Sequence, residues 1–228
     1  LSIVVIGIIC IEGEYSGLKI FFAGLSGALT GSAGNVINDI FDIEIDPRGE
    51  IWFATNAGLV RYNQTEWIIY DRQSAGLQVD FVISIAIDNY LRWIANDAGG
   101  LAMFDGRTWK FYKQSDSGLP DNVVFKVAVD KFSNKWIGTW RGGLAKLSGN
   151  EWKIYNTINT SIPSDHITAI AFDDFNRVWI GTFNGLAILD GDDMAVFYNL
   201  PSFQNINWIE SIAIESNGTA WIGTWGGG

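Results

Sequence analysis

Five tryptophans, Trp52, Trp93, Trp136, Trp179 and Trp221, sit 41, 43, 43 and 42 residues apart, each inside a near-copy of one block. The blocks read Ile51-Trp52-Phe53-Ala54-Thr55, Arg92-Trp93-Ile94-Ala95-Asn96, Lys135-Trp136-Ile137-Gly138-Thr139, Val178-Trp179-Ile180-Gly181-Thr182 and Ala220-Trp221-Ile222-Gly223-Thr224. A Gly-Leu pair follows the first four, at Gly58-Leu59, Gly100-Leu101, Gly143-Leu144 and Gly185-Leu186. A second tryptophan falls 15 or 16 residues after the first, at Trp67, Trp109 and Trp152, and is replaced by Ala195 in the fourth copy. A fixed period of this length means an array of one supersecondary unit, whose copies must stack to bury a core.

The third copy shows what the unit is. Val123–Asp130 alternates apolar and polar residues with β-branching, as a half-buried strand does. A turn at 131–134 leads to Lys135–Thr139, Gly142-Gly143 leads to Leu144–Leu147, and Ser148-Gly149-Asn150 makes a hairpin turn into Glu151–Tyr155. The linker Asn156–Ser164 is polar. No stretch has helical periodicity of useful length. Four short strands per unit of about 42 residues, with tryptophan and glycine landmarks, are the mark of a β-propeller blade. The expected fold is therefore all-β: four-stranded antiparallel blades over residues 35–228, about five of them visible, the last incomplete.

Composition agrees and removes several functions. Twenty-six Gly and eleven Trp suit tight turns between short strands. A formal net charge of −10 without a Lys/Arg cluster argues against binding nucleic acid, whose affinity comes from neutralised phosphates. One Cys, Cys10, excludes an intrachain disulfide and a thiolate zinc cluster, and one His, His166, removes most metal and triad schemes. No apolar run approaches the roughly 20 residues that span a bilayer. Leu1–Ile11 is about the length of a signal-peptide core, without a basic region before it or a clear cleavage site after it. Residues 1–34 are read as either a clipped signal peptide or closing strands.

The blocks WIGTWRGGL (Trp136–Leu144) and WIGTFNGL (Trp179–Leu186), each after an alternating strand, resemble the two-component regulator propeller repeat. The linker Ser117-Gly118-Leu119-Pro120-Asp121-Asn122-Val123 resembles the segment that opens such a repeat, and Ile162–Ile167 echoes it. The resemblance covers roughly residues 35–228. It implies a periplasmic or extracellular sensor propeller of the kind found in bacterial hybrid sensor kinases, with a small ligand at one face and a kinase module downstream. The sequence departs from the pattern at Ala54 and at Ala95-Asn96, and no kinase or DNA-binding segment lies within these residues. A seven-bladed ring at this period takes about 294 residues, so the expectation is part of a larger ring. The alternative is that Leu1–Ile11 and Leu18–Gly24 complete a fifth blade and hide its edges.

Within that frame, the position just after each W-x-G-T block varies while its flanks repeat: Asn56, Asp97, Trp140 with Arg141, Phe183 with Asn184, and Trp225. Loops of successive blades converge on one face of a propeller, which makes that position a candidate ligand surface. Aromatic rings beside Arg and Asn suit a sugar or an aromatic ligand; alternatively the rings only pack against the neighbouring blade. His166 and Trp208 stand in the corresponding blade-opening loops and join the candidate set, His166 otherwise being a solvated loop residue.

The five motif tryptophans recur at one position and are assigned to packing between blades. Asp46, Asp88, Asp130, Asp173 and Glu215 end the inner strands and are expected to accept hydrogen bonds from the following turn, although a ring of acids could attract a cation. Asp190-Gly191-Asp192-Asp193 reads as a hairpin turn rather than a Ca²⁺ loop. No phosphate loop, metal-binding histidine pair or nucleophile elbow is present, and neither a catalytic residue, a metal nor a cofactor is assigned. The expected function is an extracytoplasmic ligand-binding sensor for a carbohydrate or other small ligand. The alternatives are a polysaccharide lyase or hydrolase, for which Asp97, Arg141 and His166 would have to converge, and a protein-interaction scaffold.

Overall fold

In the computed structural model, the described residues are 7–8, 20–21, 37, 39–197 and 208–225. Two short strands, β1 (Gly7–Ile8) and β2 (Ile20–Phe21), pair with each other in a sheet of their own. The rest of the N-terminal segment, on which the signal-peptide and closing-strand readings fall, lies outside the described residues.

Four blades follow, each an antiparallel meander of four strands. The first is β3 (Ile40–Ile45), β4 (Ile51–Thr55), β5 (Gly58–Tyr62) and β6 (Trp67–Tyr70), and the second is β7 (Val82–Asp88), β8 (Leu91–Asn96), β9 (Gly100–Phe104) and β10 (Trp109–Tyr112). The third is β11 (Val124–Val129), β12 (Lys135–Thr139), β13 (Leu144–Ser148) and β14 (Glu151–Tyr155). The fourth is β15 (Ile167–Phe172), β16 (Val178–Thr182), β17 (Gly185–Asp190) and β18 (Asp193–Phe197). Two strands of a fifth, β19 (Ile209–Ile214) and β20 (Ala220–Thr224), complete the arc. Inner strands of successive blades adjoin in the order β3, β7, β11, β15, β19. The strand meander and the absence of helix among the described residues make this a β-propeller fold, as the period implies.

Three of the five motif tryptophans lie buried between blades, whereas Trp179 is half-buried and Trp221 is exposed. Trp52 packs with Leu77, Val82, Ile85 and Ile94, Trp93 with Leu119, Val124, Val127 and Ile137, and Trp136 with Ile162, Ile167, Ile170 and Ile180. Each cluster thus joins one blade to the next and takes in one linker residue, which explains why Leu119 of the Ser-Gly-Leu-Pro segment is apolar in an otherwise polar loop. A carboxylate then ties each indole down. The Nε1 groups of Trp52, Trp136, Trp179 and Trp221 donate to Asp46 (3.4 Å), Asp130 (3.0 Å), Asp173 (3.1 Å) and Glu215 (2.7 Å). Three of these acids accept turn amides, as expected: Asp46 from Arg48 and Glu50, Asp130 from Phe132 and Asn134, and Asp173 from Phe175 and Arg177, while Glu215 accepts the Asn217 side-chain amide.

The second blade breaks the pattern, for a countable reason. Four acids precede their tryptophan by six residues, but Asp88 precedes Trp93 by five, because Asn89-Tyr90 makes a two-residue hairpin. The Trp93 indole N–H is buried without a partner. Asp88 accepts instead from Ser133 Oγ (2.9 Å) and Lys135 Nζ (2.8 Å) of the next blade. Arg92, likewise, reaches back to Asp46 and lies 4.5 Å over the Trp52 ring.

The Ala54 and Ala95 departures are explained by volume. A Cβ on Gly138 would lie 2.7 Å from Ile167 Cγ2, and one on Gly181 would lie 2.8 Å from Ile209 Cγ2. Where the block has Ala54 or Ala95, the first inner-strand residue of the next blade is Val82 or Val124, in the same core clusters. A methyl group added on one side is removed on the other, so the contact keeps its volume.

Three outcomes follow from this packing. Gly138→Ala costs about 1–3 kcal/mol by overpacking, and Ile167→Val in that background restores most of it; additive losses in a urea-denaturation double-mutant cycle would break the pairing. Trp136→Phe destabilises more than Trp93→Phe, by about 1–3 kcal/mol, because only the former strands a bonded partner; equal unfolding midpoints for the two variants would refute this. The Asp46, Asp130 and Asp173 carboxyls are desolvated by burial, yet the turn amides and indole N–H groups that they accept, with Arg92 beside Asp46 and Arg177 beside Asp173, hold them below the ordinary 3.8. Their contribution is therefore present above that value and lost as pH falls through the folded values. Melting temperature should drop steeply under acid below about pH 4, and less steeply in Asp130→Asn.

Candidate ligand-binding face

The residue after each block's last position donates its amide to the carbonyl of the residue before the inner strand of the same blade. The pairs are Asn56 to Asp39 (3.3 Å), Asp97 to Phe81 (3.2 Å), Trp140 to Val123 (3.0 Å), Phe183 to His166 (3.2 Å) and Trp225 to Trp208 (3.0 Å). Ten side chains are thereby set at one end of the inner strands, which is the face the sequence singles out. A buried threonine fixes the turn beneath: Thr55, Thr139 and Thr182 donate Oγ1–H to the carbonyls of Gly58 (2.7 Å), Gly143 (2.7 Å) and Gly185 (2.8 Å). Gly58 and Gly143 have φ of 124° and 82°, and a Cβ there would lie 2.4 and 2.3 Å from the carbonyl oxygens of Tyr70 and Tyr155, so only glycine fits. In the second blade Asn96 replaces threonine and donates from Nδ2 to the Gly100 carbonyl (3.4 Å).

Each inner strand carries a bulge between its first and third residues. The extra residue is Phe41, Ile83, Phe125, Thr168 or Glu210. Bulges re-aim side chains, and Phe125 is thereby stacked on Trp140 at 4.9 Å. From there the aromatic contacts continue across three blades. Trp140 meets His166 (4.6 Å) and Phe183 (4.9 Å) edge-on, His166 stacks on Phe183 (4.9 Å), Phe183 meets Trp208 (4.1 Å), and Trp208 stacks on Trp225 (5.3 Å). Trp140, His166, Phe183 and Trp208 are half-buried and Trp225 is exposed. His166 is thus a ring in this run rather than a solvated loop side chain, with Ser164 Oγ 3.4 Å from Nδ1.

Beside the Phe125–Trp140 stack an open cleft of about 360 Å³ is lined by Asp97, Asp121, Val123, Phe125, Trp140 and Arg141. Asp97 and Arg141 therefore converge, while His166, edge-on to the Trp140 ring, is not part of the cleft lining. Asn56 sits in the first blade, accepting the Asp39 amide at 3.3 Å, and Asn184 is exposed at the turn, its amide on Thr182 Oγ1. Neither lines the cleft. Sequence reasoning did not find Phe125, Asp121 or Val123. The signal for Phe125 was the slip in alternation that marks a bulge.

Along the inner strands, Asp42 Oδ2 accepts from Ser84 Oγ (2.7 Å), the Ile85 amide (3.1 Å) and Lys126 Nζ (2.9 Å), linking three blades. Burial and the nearby Asp42 charge push the Glu44 carboxyl up, against the pull of Lys126. Partial desolvation likewise raises Glu210. Asp46, Asp88 and Asp173 are each paired with Arg92, Lys135 or Arg177, so they form a clamp rather than a cation ring. At Asp190–Asp193 the chain makes the expected hairpin turn, with Asp192 on Lys153 Nζ.

Residues 161–184 match the family model for the two component regulator propeller. That stretch is similar to one repeat of that family. Around this repeat the fold is shared with several solved structures. The extracellular domain of a hybrid two component system from B. thetaiotaomicron matches at 22% identity and a TM-score of 0.70, over 97% of this chain and 32% of that one. PorZ, a surface component of the type-IX secretion system of Porphyromonas gingivalis, matches at 18% identity and a TM-score of 0.60, over 85% and 32%. Virginiamycin B lyase from Staphylococcus aureus matches at 15% identity and a TM-score of 0.66, over 91% and 66%. At these identities the likeness establishes the propeller fold alone. The chain spans about a third of the length of the first of these relatives. No curated protein sequence matches it, and among the described residues no helix is long and apolar enough to cross a membrane.

Proposed function

We propose that this chain forms part of an extracytoplasmic sensor propeller that binds a carbohydrate or other small ligand at the face carrying Trp140, His166, Phe183, Trp208 and Trp225, with signalling output from a module outside these residues. The observation that carries the reading is the continuous run of rings across three blades, ending in a tryptophan that is 44% exposed. Between the third and fourth blades Trp136 already supplies the packing, so the aromatic row at the loop end is available to a ligand there. Sugars and aromatic molecules are held on such faces by stacking, with orientation from adjacent polar groups. The match to a two component regulator propeller repeat, and the likeness to the extracellular domain of a hybrid two component system, support a sensory role in that setting.

Tryptophan fluorescence of the 228-residue chain, titrated with a panel of neutral and acidic oligosaccharides, tests the reading. A binder should lose about tenfold in affinity in Trp225→Ala, a substitution at an exposed site that leaves the blade core intact. Saturable binding that is indifferent to Trp208→Ala and Trp225→Ala would move the site elsewhere on the molecule.

A further inference from the structure

The cleft beside the Phe125–Trp140 stack is lined by three charged side chains, two of which, Asp97 and Arg141, are opposite in sign and make no ion pair with each other. Asp97 is exposed on the turn after β8, and its amide is bonded to the Phe81 carbonyl while its carboxylate has no bonding partner among the described residues. Arg141 is exposed on the turn after β12, and its amide donates to Asp121 Oδ2 at 2.9 Å. The Arg141 guanidinium is in no ion pair or cation–π contact among the described residues. Asp121 is committed to the loop, since its other oxygen accepts the Val123 amide at 3.1 Å. Two stacked rings, Phe125 and Trp140, make the apolar part of the same lining.

From this we infer that the cleft binds a zwitterion: a free α-amino acid with an aromatic side chain, its carboxylate on Arg141, its ammonium on Asp97 and its ring on Phe125 and Trp140. The inference rests on the reading of this face as a ligand site and names the ligand class. A neutral sugar in the cleft supplies a counter-charge to neither Asp97 nor Arg141, both of which are exposed. A ligand carrying both charges meets each with its opposite, and the guanidinium fork matches a carboxylate in two hydrogen bonds. The volume, about 360 Å³, is at the small end of ligand sites and suits one ring with its polar ends.

Isothermal titration of the 228-residue chain with L-phenylalanine, N-acetyl-L-phenylalanine and L-phenylalaninamide tests this. Free phenylalanine should bind, and each capped compound, which lacks one charge, should bind about tenfold or more weakly. Arg141→Gln should weaken phenylalanine to the same extent and leave phenylalaninamide unchanged, and Asp97→Asn should weaken phenylalanine and leave N-acetyl-phenylalanine unchanged. Both residues are exposed, and asparagine already fills the position of Asp97 in the first blade as Asn56, so the variants keep the fold. Equal binding of the three compounds, or no binding of any, overturns the zwitterion. If in that case an oligosaccharide binds and Trp225→Ala abolishes it, the sensor face stands and only its ligand class falls. If neither kind of ligand binds, both fall.

Discussion

Everything in this molecule depends on an indole held between two blades and anchored by a carboxylate at the end of its own inner strand. The slab of Trp52, Trp93 or Trp136 fills the gap to the next sheet, and the acid six residues earlier fixes the ring's rotation by accepting its N–H in the first and third blades. A buried polar group without a partner is expensive, so the bond makes the apolar slab affordable inside a core. The second blade shows the tolerance of the arrangement. One residue fewer in the turn removes the bond, and the freed Asp88 is taken up by Lys135, whose ammonium also lies 4.9 Å over the Trp93 ring. The electrostatic link is then made across blades rather than within one.

Once the indoles set the spacing, the close contact of neighbouring sheets requires matched volumes. Gly138 with Ile167 and Gly181 with Ile209 share one solution, and Ala54 with Val82 and Ala95 with Val124 share the other. A repeat protein in which each unit touches only its neighbours can vary such pairs locally, because a change is absorbed by one partner instead of the whole core. Loops at the strand ends are free of that restriction. The two blades that begin the arc present Asn56 and Asp97 where the later three present Trp140, Phe183 and Trp225, on backbone that is bonded alike in all five.

Much of this was legible in the chain. The tryptophan period, the W-x-G-T blocks and the Gly-Leu pairs are local patterns, and they gave the four-stranded unit, the packing role of the tryptophans and the turn role of the acids. The face was legible too, because Trp140, Phe183 and Trp225 stand at one position in a repeat, as do His166 and Trp208. Three things were not. The indole–carboxylate bond links residues that only the fold of the turn brings together. The deviant Ala54 and Ala95 make sense only beside Val82 and Val124, which lie in another blade. Phe125 joins the site through a bulge, and a one-residue slip in strand register leaves only a faint trace in an alternating pattern.

The sequence alone determined that this chain is an array of propeller blades, because repetition and hydrophobic alternation are one-dimensional properties that each unit carries within itself. Tertiary structure decided which of the variable loop residues meet. It ran Trp140, His166, Phe183, Trp208 and Trp225 into one aromatic row, placed Asp97 and Arg141 in the lining of a single cleft, and left Asn56 and Asn184 out of that lining. The reason is geometric: those contacts run between blades, where distance is set by the curvature of the stack and the volume of the wedged indoles, and neither quantity is written in any one repeat.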